Sequence, residues 1–169
     1  MSDLARGIIE HYERHAVAWD VDRSRSAWND KHWHERFLQA LPEQASVLDL
    51  GCGSGWPVAR YFAAAGLRIT GIDASTTMIS LCRSRLSNHE WIVADMRSLS
   101  LARRFEGILA WDSYFHLPHD DQRRMFDVFA AHATRGALLM FNAGPRHGAA
   151  FGNYLGRSFI SRESRPSGV

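Results

Sequence analysis

Val47-Leu48-Asp49-Leu50-Gly51-Cys52-Gly53-Ser54-Gly55 sets a short apolar run, interrupted by one acid, directly before three glycines at alternate positions. Residues 46–50 have the length and composition of a buried strand. The glycines supply a turn that lets the backbone approach a ligand closely. Pro57 suits the first turn of a helix, which runs through Val58–Ala65 until Gly66 stops it. A strand, a glycine loop and a helix start in succession offer free backbone N–H groups to negative charge. The glycines run G-x-G-x-G, whereas a dinucleotide fold prefers G-x-G-x-x-G, and Asp49 is an additional acid inside the strand end.

Outward from this stretch the alternation repeats. Residues 67–72 read as a second strand ending at Asp73, and Ser75 caps a helix with Met78, Ile79, Cys82 and Leu86 on one face. Residues 91–94 form a third strand ending at Asp95, and 105–111 a fourth ending at Asp112. Pro118 with Asp120 and Asp121 opens a helix, acids in its first turn suiting the helix dipole, and 137–141 make a fifth strand. Toward the N-terminus, residues 4–17 and 25–40 carry helical spacing, closed by Pro42. Apolar strands alternating with helices predict an α/β fold, a doubly wound and mostly parallel sheet of about five strands. Such a sheet binds its ligand at the carboxyl edge, where the glycines and aspartates cluster.

Composition narrows the function. The 169 residues, 46% hydrophobic and 22% charged, make one domain with an adequate core. A formal charge of +2 gives no electrostatic case for nucleic acid. The apolar runs fall short of a membrane span and the N-terminus lacks a secretory segment, so a cytoplasmic location without membrane partners is expected. Cys52 and Cys82, the two cysteines, make no disulfide framework. His32 and His34 would point to different helix faces, and neither they nor His116 with His119 have the spacing of a familiar zinc site, so no metal is expected.

VLDLGCGSG (47–55) resembles the first motif of class I S-adenosylmethionine-dependent methyltransferases, and GIDAS (71–75), VADMRSL (93–99) and ILAWDSYFHL (108–117) follow in that family's order. The resemblance covers roughly residues 40–142 and is closest to small bacterial members with a Rossmann-like sheet. It implies a cofactor, S-adenosylmethionine, leaving as S-adenosylhomocysteine, and a small-molecule methyl acceptor. Gly51, Cys52, Gly53 and Gly55 would pass beneath the methionine part, with Asp49 facing its amino group. Asp73 would accept both ribose hydroxyls; Ala74, Met96 and Met78 would line the adenine, whose amino group Asp95 would accept. Trp111 would stand near the cationic sulfonium, where an aromatic face is worth up to about 2 kcal/mol when desolvated. Met78 and Trp111 also read as plain core residues.

Methyl transfer from a sulfonium needs alignment and a dry site more than a conspicuous catalytic group, and a base only where the nucleophile must shed a proton. His116 or Asp112, after the fourth strand, is the candidate base; His116 could equally pack or cap the next helix. Tyr12, Trp19 and Tyr114 are candidates for the acceptor pocket. The chain thus divides into an N-terminal helical lid (1–42), a cofactor-binding core (43–145) and an irregular tail (146–169). The family's sheet closes with an antiparallel hairpin, whose expected absence would leave the fifth strand an exposed edge for pairing with another chain. A catalytically impaired cofactor-binding or interaction domain is the alternative function, and a nicotinamide-dependent oxidoreductase is disfavoured by the glycine spacing.

Overall fold

In the computed structural model, which describes residues 3–143, 148–154 and 157–163, five parallel strands lie in the order β3-β2-β1-β4-β5. They are β1 (Ser46–Leu50), β2 (Arg68–Asp73), β3 (Glu90–Val93), β4 (Phe105–Ala110) and β5 (Ala133–Phe141). The helices are α1 (Asp3–Arg25), α2 (Lys31–Ala40), α3 (Val58–Ala64), α4 (Thr76–Arg85) and α5 (His119–His132). Each expected strand is present. The first helix runs well past residue 17, and the second begins only at Lys31.

Alternating side-chain direction along the strands sorts the apolar residues into two cores, one on each sheet face. Val47 and Ile69 point to the side of Phe37, Phe62 and Ile79. Leu48, Leu50, Ile72 and Ile108 point to the side of Met125 and Phe129 on α5. Burial on both faces explains why these strands read as nearly continuous apolar runs. Chain order proceeds outward from β1 to β3 on one side and from β4 to β5 on the other. The β1/β4 boundary is therefore the switch point, and a crevice opens beyond the carboxyl ends of those strands.

The tail expectation needs correcting. Gly148–Tyr154 (β6) and Arg157–Glu163 (β7) pair antiparallel, with Tyr154 opposite Arg157. They form a separate two-stranded sheet, and the five-stranded sheet ends at β5 among the described residues.

The long α1 is anchored along α4 at two points. Near its middle, Glu13 accepts from the Ser75 hydroxyl (2.5 Å), the Thr77 backbone N–H (3.2 Å) and the Thr77 hydroxyl (2.8 Å) at the start of α4. Two turns on, Arg85 grips the nearly buried Asp20 with both terminal nitrogens, each 2.6 Å from a carboxylate oxygen. Bidentate geometry makes this pair worth more than a typical surface bridge. Asp20→Asn is expected to loosen α1 by about 1 kcal/mol without unfolding the sheet. Amide hydrogen exchange should then rise selectively across residues 9–23.

Candidate functional site

A cavity of about 180 Å³ opens at the switch point, walled by the glycine loop, the carboxyl ends of β1, β2 and β4, and one face of α1. The loop is held by hydrogen bonds from the Gly51 and Cys52 N–H groups to the carbonyl of Ile72, the penultimate residue of β2 (2.7 and 3.0 Å). Gly51 has φ +80°, and a Cβ there would lie 2.3 Å from the Ser113 Cβ, so only glycine fits. At Gly53, also left-handed at +53°, nothing stands within 4 Å of an added Cβ. Its outer face is open.

Three aspartates stand at the strand ends, each in a different electrostatic state. Asp49 is 4% exposed, and no protein group donates to it among the described residues. Burial, and secondly the charge of Asp73, pushes its carboxyl up to about 7. Asp73 takes the Gly53 N–H on one oxygen and the Ser75 N–H on the other, both at 2.9 Å. Each oxygen keeps acceptor capacity. Burial also raises its pKa, the two N–H bonds partly offsetting this. Asp95 is gripped by Arg97, whose Nε and Nη2 reach its carboxylate at 2.9 and 2.5 Å while Nη1 reaches Asp121 at 3.0 Å. Burial alone would raise the Asp95 carboxyl, but the Arg97 bonds outweigh it and hold it below the usual range.

Between these acids the wall is apolar: Ala74, Met78, Ala94 and Met96 on one side, Trp111 and Leu109 on another. Met78 both packs in the core at 1% exposure and lines the cavity. The Trp111 indole N–H is committed to Asp30, and its ring meets His34 edge-on at 4.9 Å. Cys52 lines the cavity too. Burial first, then Cys82, pushes its thiol well above the usual range, so it is a small wall residue rather than a nucleophile.

On the α1 side of the cavity, the Tyr12 hydroxyl lies 2.9 Å from His116 Nε2, and the Trp19 ring packs edge-on against Tyr12 at 5.6 Å. Burial pushes His116 down to about 4, with Asp112 pulling weakly the other way, so the ring is neutral at pH 7. Burial raises the Tyr12 phenol. Asp112, at φ +53°, binds Arg23 through Oδ2 (2.7 Å) and Asn142 through Oδ1 (2.7 Å). The Asn142 side chain in turn accepts the Asp112 N–H at 2.8 Å.

Fourteen residues expected at the site therefore line this one cavity: Tyr12, Trp19, Asp49, Gly51, Cys52, Gly53, Asp73, Ala74, Met78, Asp95, Met96, Trp111, Asp112 and His116. Gly55 stands behind it, where a Cβ would lie 3.3 Å from Cys82 Sγ. Tyr114 is a correction. It is 4% exposed, its ring packs on Phe141 and Phe129, and its hydroxyl donates to the Gln122 carbonyl. It belongs to the core beside α5. Arg23 lines the cavity without having been expected there. Its signal was legible: Ile9, Tyr12, Ala16, Trp19 and Arg23 recur at steps of three and four, one helical stripe carried beyond residue 17.

Residues 47–136 match the family model described as "Methyltransferase domain". The chain belongs to that family. Its motif series is that of the class I S-adenosylmethionine-dependent type. A putative methyltransferase, YqeM of Bacillus subtilis, is 27% identical over 135 residues, covering 76% of this chain and 53% of its own. A malonyl-[acyl-carrier protein] O-methyltransferase of Pseudescherichia vulneris is 40% identical over 70 residues, 41% of this chain and 27% of its own. The chain thus spans about half or less of the length of these curated relatives. Among solved structures, a DhpI–SAH complex superposes with a TM-score of 0.76 at 21% identity, covering 95% of this chain and 80% of that one. This last likeness concerns the fold. No helix among the described residues of this methyltransferase-family chain is long and apolar enough to cross a membrane.

Asp49 offers a direct check on the electrostatics of the site. A carboxyl whose folded pKa lies above its unfolded value near 3.9 binds more protons when folded. Its stabilising contribution is full below about pH 4 and is lost as pH rises through about 7. Relative to Asp49→Asn, the wild-type protein should lose on the order of 2–4 kcal/mol of unfolding free energy between pH 4 and pH 8. Urea denaturation of both proteins at the two pH values measures the difference.

Proposed function

We propose that this domain transfers a methyl group from S-adenosylmethionine to a small-molecule acceptor bound under α1. The observation that carries this reading is Asp49, a nearly buried carboxylate facing the cavity without a protein donor. A buried carboxylate in that state calls for a cation, and the cofactor brings an ammonium and a sulfonium. Three further features support the fit. The open face of Gly53 leaves room for the methionine part beside the loop. The two oxygens of Asp73, each with acceptor capacity left, suit a pair of ribose hydroxyls. The apolar walls at Ala74, Met78 and Met96 suit a flat base. Asp95 fits less freely, because it shares its oxygens with Arg97; an adenine amino group would add to that bridge rather than replace it.

When bound, the cofactor supplies an activated methyl group on a sulfonium with a neutral leaving group. The protein's part is to hold donor and acceptor in line and to keep water away. Tyr12 and Trp19, carried on α1, cover the acceptor side, and His116 stands beside them.

The test is calorimetric titration with S-adenosylhomocysteine. Wild-type protein should bind it, and Asp73→Ala should bind at least about thirtyfold more weakly, the loss of roughly 2 kcal/mol of charged hydrogen bonding. Asp73→Asn, which keeps one carbonyl acceptor for the loop, should fall between. Undiminished binding by Asp73→Ala would mean that the ligand lies elsewhere.

A further inference from the structure

Resting on that reading, we infer that the methyl acceptor is a small molecule that arrives as an oxyanion, a carboxylate or a phosphate-type group, and that Arg23 is its counter-ion. Two separate observations lead there.

The first is the engagement of the two side chains expected as a base, His116 through Nε2 and Asp112 through both oxygens. His116 Nε2 is hydrogen-bonded to the Tyr12 hydroxyl. If Tyr12 donates, the Nε2 lone pair is used; if Nε2 donates, it carries a proton already. Neither arrangement leaves Nε2 to take a proton while α1 covers the site. The ring's basicity is also low, since burial dominates and the opposing pull of Asp112 is the smaller effect. Each oxygen of Asp112 already accepts one bond, from the Arg23 guanidinium and from the Asn142 amide, so a substrate proton would have to compete with a fixed cation there. Asp49 and Asp73 stand at the ends of β1 and β2, where the cofactor's ammonium and ribose would use them. An alcohol must surrender a proton during transfer, and these commitments leave it poorly served. A carboxylate or phosphate oxygen is already deprotonated at neutral pH and needs no base.

The second observation is Arg23 itself. The cavity holds two guanidinium groups. Arg97 is consumed by Asp95 and Asp121 through Nε, Nη1 and Nη2. Arg23 spends Nη2 on Asp112, and its side chain lines the cavity and is 31% exposed, with its other N–H donors not given to any bond among the described residues. A planar fork with spare N–H donors matches the paired oxygens of a carboxylate or a phosphate. Arg23 lies on the same stripe of α1 as Tyr12 and Trp19, so the helix that covers the acceptor also presents the charge that recognises it.

In the transfer an oxyanion lone pair forms the new O–CH3 bond as the S–CH3 bond breaks. The sulfur keeps the bonding pair, S-adenosylhomocysteine leaves, and no proton moves.

The experiment uses the full chain saturated with S-adenosylhomocysteine, titrated with malonate and with inorganic phosphate to separate the two anion types. At least one should bind. Arg23→Gln should weaken that binding about tenfold or more while leaving affinity for S-adenosylhomocysteine within about threefold, and Arg23→Lys should fall between. Asp112→Asn separates recognition from mere positioning. It removes the competing negative charge, so anion binding should tighten; weakening to match Arg23→Gln would assign Arg23 a structural role and overturn the inference. With S-adenosylmethionine saturating, methyl transfer to a panel of small carboxylic acids and phosphate monoesters should be flat over the alkaline range, about pH 8 to 9, where Asp49 and the acceptors are fully ionised. Transfer confined to amines or alcohols, rising with pH, would overturn it. So would binding of S-adenosylhomocysteine with neither anion bound. Failure to bind S-adenosylhomocysteine at all would remove the underlying function together with this inference.

Discussion

The Ile72 carbonyl receives the N–H groups of Gly51 and Cys52, and much of the site's geometry depends on that fork. It ties the first turn of the glycine loop to the end of the neighbouring strand, so the loop cannot swing over the sheet edge. With the loop fixed, the Gly53 N–H reaches Asp73, and the carboxylate is aimed into the crevice rather than out to solvent. The arrangement needs a left-handed residue without a Cβ at Gly51, because Ser113 from the β4 side occupies the space where one would go. Three strands are thereby registered to one another at the point where the ligand is to sit.

Much of this was legible in the sequence because parallel strands buried on two faces are short apolar runs, and because the acids fall where those runs end. Residues 46–50, 68–73 and 105–110 are such cases. What sequence periodicity does not carry is which distant loops meet. Tyr12 and His116 are 104 residues apart in the chain, and Arg23 and Asp112 are 89 apart; neither pair shares an element. Tyr114 shows a finer limit. It sits two residues from His116 in one short 3-10 turn, where residues two apart point in widely different directions. One side chain therefore enters the cavity and the other the core. The β6–β7 pairing carries little apolar alternation, since small and polar residues such as Gly148, Ala149, Asn153 and Ser158 occupy much of it.

The charges of the site are arranged in two tiers. Asp95 and Asp112 are held by guanidinium groups within the protein, which fixes their loops and spends their charge. Asp49 and Asp73 have no such cation and carry the cost of burial in raised pKa values. A positively charged ligand relieves that cost as it binds, so affinity draws on a burial cost already built into the fold.

Glu13 gives the covering helix a second identity. Because it accepts the Thr77 N–H and the Ser75 hydroxyl, it completes the N-terminal cap of α4 from outside that helix. Ser75 supplies the local half of the same cap by accepting from the Met78 N–H, and its own N–H is the one that Asp73 holds. Lifting α1 away would therefore strip a cap from α4, a penalty on the order of 1 kcal/mol. That penalty falls two residues from the carboxylate facing the cavity. Opening the entrance and loosening the grip on whatever lies inside are thus one hydrogen-bonding event, a latch shared between door and shelf.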